Sequence, residues 1–129
     1  MTVASDPRAF RFEPRALVAE PKQFGKTSLS LTPAVGVDPD DPRFLAAQLQ
    51  HRVANSAREA MLARGHSLES YATSMQAPGM AYDRLVRIQR GETLMQLADL
   101  VNWAQHFDNV RPLLIDHRTW PDVVDRSSD

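Results

Sequence analysis

Residues 79–91 read GMAYDRLVRIQRG, and the rest of the chain is best read outward from them. Leu85 and Ile88 fall three positions apart, as the buried side of a short helix requires. Arg84, Arg87 and Arg90 repeat at the same step on another face. Gly79 and Gly91 punctuate the two ends, so a helix is predicted over residues 80–90. A short helix with one stripe to bury and one arginine stripe to expose suits insertion into a DNA major groove. The competing reading of this window is a surface helix whose arginines are simply solvated.

Helical patterning extends on both sides. Asp38-Pro39-Asp40-Asp41-Pro42 supplies acids just before a helix and a proline for its first turn. From Arg43, the positions Phe44, Leu45, Leu49, Val53, Ala57, Ala60 and Met61 repeat at three- and four-residue steps until Gly65. Ser67 opens a second helix with Leu68, Tyr71, Ala72 and Met75 inward, and Gln76-Ala77-Pro78-Gly79 breaks it. After residues 80–90, Gly91-Glu92-Thr93 reads as a turn with Thr93 as cap. A fourth helix then places Leu94, Leu97, Leu100, Val101, Ala104 and Phe107 inward.

The prolines divide the chain. Of nine, Pro7, Pro14, Pro21, Pro33, Pro39 and Pro42 lie within the first 42 residues. Residues 1–42 therefore read as an irregular arm, because prolines at 7, 14 and 21 forbid a continuous helix. Residues 27–32 alternate polar and apolar as a short strand does, with no second strand to pair. Residues 43–107 form the helical unit, and residues 108–129 form a short tail whose apolar patch is Pro112-Leu113-Leu114-Ile115. The expected fold is all-α: a compact domain of four to five helices with an irregular N-terminal arm and a short C-terminal tail. A unit this small often gains stability from a second chain, which predicts a homodimer.

Composition narrows the function. The chain of 129 residues has a net charge of −1 and no cysteine, which excludes disulfides and thiolate metal sites. Residues 43–107 hold seven arginines against five acids, so a modest positive excess sits on the helical unit. No apolar run approaches the roughly 18–20 residues of a membrane span. The first residues, MTVASDPRAFRFEPRALVAEP, lack the pattern of a secretory signal, which gives a cytoplasmic expectation. His51, His66, His106 and His117 show no pair at metal-ligand spacing, and His66-Ser67-Leu68-Glu69 is better read as a helix start. Lys26-Thr27 follows Gly25 without the first glycine of a phosphate loop. No nucleophile motif or carboxylate pair appears, so neither an enzyme nor a bound cofactor or metal is expected.

The stretch from residue 68 to residue 107 resembles the lambda-repressor-like (Xre/Cro type) helix-turn-helix family. The resemblance rests on the inward Ala72, the turn glycine Gly79, the aliphatic Leu85 six positions later, the closing Ile88-Gln89-Arg90-Gly91, and the leucines Leu94, Leu97 and Leu100. The chain departs from that pattern at one place. Ala72 and Gly79 stand seven residues apart where the family has four, which implies a widened turn at residues 76–79. The resemblance implies a sequence-specific regulator that binds double-stranded DNA and reads the major groove with residues 80–90. By position, Tyr82, Asp83 and Arg87 become the base-contacting residues, with Arg87 able to fork onto guanine O6 and N7. Asp83 is expected to orient Arg87, four residues on, as an ion pair. Arg84 and Arg90, with Ser67 and Ala81 through backbone amides at helix starts, become phosphate contacts. Gln89 is expected to tie the third helix to the second. The rival reading is a helix-turn-helix-fold module that binds a partner protein, through the N-terminal arm, without specific DNA binding. The low net charge, the widened turn and Asp83 favour that rival.

Overall fold

The computed structural model describes residues 10–75 and 81–115, and among these the regular structure is all helical. Four α-helices follow in order: α1 (Pro42–Ala63), α2 (Leu68–Met75), α3 (Tyr82–Gln89) and α4 (Leu97–His106). Short 3-10 turns sit at Pro14–Leu17, Pro21–Gln23 and Arg111–Leu114. The widened turn expected at residues 76–79 lies outside the described residues, as do residues 1–9 and 116–129.

Local chemistry sets most helix ends. Asp41 caps α1 by accepting the Arg43 N–H at 2.9 Å, and Pro42 occupies the first helical position. The Arg43 guanidinium also holds the Asp41 carboxylate, which keeps its carboxyl below the ordinary range. At the other end Gly65 takes a φ of +78°, and His66 donates back to the Met61 carbonyl at 2.9 Å. Gly91 ends α3 in the same manner, at φ +72°, with Glu92 donating to the Arg87 carbonyl at 2.9 Å. Ser67 and Ser70 cap α2 reciprocally, each backbone N–H donating to the other's hydroxyl at 2.9 and 3.1 Å.

The fourth helix begins later than its leucine spacing predicts. Its cap is Gln96, not Thr93, and Asp99 closes a capping box with it. Leu94 therefore lies in the preceding loop. That loop is held open by Gln50 of α1, which donates to the Ile88 and Thr93 carbonyls and accepts from the Met95 N–H at 2.7 Å. Three backbone groups are thus satisfied by one buried side chain. Ala104 and Phe107 are buried as their spacing predicts, together with Trp103, whereas Leu97 stays 77% exposed and Val101 50%.

α1 is the wall shared by two apolar clusters. On one side Val53, Ala57 and Met61 pack with Tyr71, Leu85, Ile88, Trp103 and Phe107, joining all four helices. On the other side Phe44 and Ala47 pack with Val18, Phe24 and Leu31. Residues 10–41 are irregular, as expected, yet they do not extend away as a free arm: their apolar side chains complete the second cluster. Residues 27–32, whose alternation has no second strand to pair with, form no strand; beside them stands one antiparallel bridge between Val18 and Pro33, with Ala19 donating to the Thr32 carbonyl.

What fixes this irregular segment is a polar seam along α1. Gln48 donates to the Leu31 carbonyl at 2.9 Å and accepts its N–H at 3.0 Å. His51 accepts the Gly25 N–H and donates to the Leu29 carbonyl, both at 2.8 Å. Arg58 donates to the Gly25 carbonyl at 3.3 Å and to Asn55 at 2.6 Å. These side chains supply partners that a strand or helix would otherwise provide.

Candidate nucleic-acid interface

α3 lies across α1 and α2 with Leu85 and Ile88 sealed beneath it, at 1% and 0% exposure. With that face buried, the helical period turns Tyr82, Asp83 and Arg87 outward, and Arg90 follows at the cap. All four are exposed, and together with Val86 and Glu92 they line one shallow outward groove. The three residues assigned to base contact are therefore side by side on one open surface.

Their mutual geometry differs from expectation in one respect. Arg87 does not use the Asp83 carboxylate: its Nε sits 3.4 Å from the Asp83 backbone carbonyl, a long and weak contact. Both side chains line the groove. Arg90 stands 3.9 Å from Glu92, which also approaches Arg15 at 4.0 Å. The groove itself thus carries two arginines and two acids.

The residues assigned to phosphates divide. Ala81 is exposed at the N-cap of α3, where backbone amides point outward. Arg90 is exposed at its C-terminal end. Arg84, by contrast, is turned to the side. Its Nε and Nη2 both donate to the Asp99 carboxylate, the former at 3.1 Å, and Asp99 is 6% exposed at the start of α4. A bidentate partner on a buried carboxylate takes the charge that a phosphate would need. The Ser67 amide is likewise engaged, donating to the Ser70 hydroxyl. Gln89 ties α3 to α1 and the N-terminal segment rather than to α2, donating to the Gly25 carbonyl at 2.8 Å and the Ala54 carbonyl at 3.0 Å.

Two cations beside α3 escape a reading by motif. Lys26 and Arg58 flank a hollow between the C-terminal half of α1 and α3, next to Arg90. Lys26 arrives there because Gly25 packs on Gln89, 64 residues away in sequence. No local spacing signals that approach. Among the described residues no group of His, Asp and Glu is placed to hold a metal ion, and no helix is long and apolar enough to cross a membrane.

Comparison with family models, curated proteins and solved structures gives no match to this chain.

Proposed function

We propose that this protein is a sequence-specific regulator that binds double-stranded DNA in the cytoplasm, is not an enzyme, and reads the major groove with α3 as a homodimer. The observation that carries the proposal is the orientation of α3: Leu85 and Ile88 anchor it, and Tyr82, Asp83 and Arg87 project together from its open side. Arg87 serves as the base-reading residue, while Arg90 and the amides beginning at Ala81 hold phosphates. A dimer sets two such helices about 34 Å apart, one turn of duplex. Leu97 and Val101, exposed on α4 beside the apolar groove of Leu49, Leu94 and Leu100, offer a surface for the second copy.

The test is fluorescence anisotropy on a pool of random duplexes at two salt concentrations, followed by selection of the preferred site. A selected site bound more tightly than the pool supports the proposal; equal binding of all duplexes overturns it. One observation favours the rival, a partner-binding module. Two of the three arginines stand against acids, Arg84 on Asp99 and Arg90 near Glu92, which reduces the charge offered to phosphate. That rival gains if no duplex binds at low salt.

A further inference from the structure

The hollow between α1 and α3 has a volume of about 320 Å³, the lower end of the range for small-molecule sites. Its lining is mostly apolar, with Met61 and Leu62 from α1, Leu68 at the start of α2, and Tyr82 and Val86 from α3; His66, Ser67 and Gln89 add polar groups. Its lining also carries three cations, Lys26, Arg58 and Arg90, and no carboxylate among the described lining residues. Arg58 is held in place there by the Gly25 carbonyl and by Asn55. An apolar cleft lined by three cations, of which Arg58 is held in place and Arg90 stands 3.9 Å from Glu92, complements one kind of molecule, a small apolar body ending in an anion. We infer that this hollow binds a small amphiphilic carboxylate, whose chain lies on Met61, Leu62 and Val86 and whose carboxylate meets Lys26, Arg58 and Arg90.

The hollow and the outward groove of α3 share Tyr82, Val86 and Arg90, whereas Arg87 lines only the groove. A carboxylate on Arg90 competes directly with a DNA phosphate for the same guanidinium. The ligand therefore weakens all duplexes through Arg90 and leaves the part of sequence preference that Arg87 reads unchanged, Arg87 lying outside the hollow. This second step rests on the DNA-binding proposal; the ligand site itself does not.

The experiment has two arms on the full chain. In the first, without DNA, amide resonances are followed while octanoate, octan-1-ol or octylammonium is added. Octanoate should shift residues 58–68 and 82–90 and bind about tenfold more tightly than octylammonium. Lys26→Gln should weaken octanoate, and Leu62→Trp, which fills the hollow from an exposed position, should abolish its binding. Equal binding of the three probes, or shifts elsewhere in the chain, overturns the site. In the second arm, octanoate should lower duplex affinity and reduce the salt slope by about one unit. Leu62→Trp should bind duplex normally and lose this response. Octanoate bound in the hollow with duplex affinity unchanged overturns the coupling. If no duplex binds at all, the DNA proposal fails, and the first arm still decides the site.

Discussion

The imidazole of His51 accepts the Gly25 N–H through Nδ1 and donates to the Leu29 carbonyl through Nε2, each at 2.8 Å. Only the neutral ring with its proton on Nε2 can do both. The ring is fully buried and meets the edge of Phe24 at 5.6 Å between centroids. Burial pushes its pKa below the ordinary 6.5, with nearby Arg52 adding to that and the Leu29 bond opposing it.

The first prediction concerns pH. A depressed pKa in the folded state means that the unfolded chain binds the proton more readily. The stabilising contribution of His51 is thus complete above about pH 6.5 and is lost as pH falls through the folded-state value. Denaturant titrations should show stability declining with acid in that window, with exchange protection lost first around residues 24–31. His51→Leu should abolish that part of the pH dependence at a cost of about 1–3 kcal/mol. An unchanged slope in the variant would contradict the assignment.

Gly25 is the second test. It adopts φ +70°, and a Cβ there would meet the Gln89 backbone oxygen at 2.3 Å. Gly25→Ala is expected to cost more than the roughly 1–2 kcal/mol of a left-handed alanine alone, because backbone must also move. Gly36, at φ +82° with open space around it, is the control: Gly36→Ala should cost only the conformational share. Equal losses in thermal unfolding would show that the N-terminal segment does not press on α3.

Arg84 and Asp99 make a third. Removing the guanidinium leaves a buried carboxylate with the Gln96 N–H and its capping role, so Arg84→Ala should destabilise the fold by about 1–3 kcal/mol. The salt dependence of duplex binding should not change, since Arg84 faces Asp99 rather than the groove. A salt slope lowered by about one unit would instead assign Arg84 to a phosphate.

The fourth separates reading from holding. Arg87→Ala should cost about 1–3 kcal/mol on the preferred site and relax its specificity, whereas Arg90→Ala should weaken every duplex similarly. Competition anisotropy with matched and mismatched duplexes checks both. If Arg87→Ala leaves a measured preference intact, α3 is not the reading helix.

The sequence by itself determined where α1 begins and where α1 and α3 end. Asp41 with Pro42, Gly65 and Gly91 act over three to five residues, and such local terms operate in any surroundings. It also determined that Leu85 and Ile88 turn inward and hence that Tyr82, Asp83 and Arg87 turn outward, because that follows from helical period alone. Tertiary structure decided the rest. The apolar pattern of α1 gave no hint that Gln48, Gln50 and His51 are buried, because their polar atoms become tolerable inside only once residues 25–31 and 88–95 bring partners to them. The same long-range pairing moved the start of α4 from Leu94 to Leu97 and took Arg84 from phosphate to Asp99. A hydrogen bond between residues 64 apart, as between Gln89 and Gly25, depends on closing the whole chain, and no spacing within one helix records it.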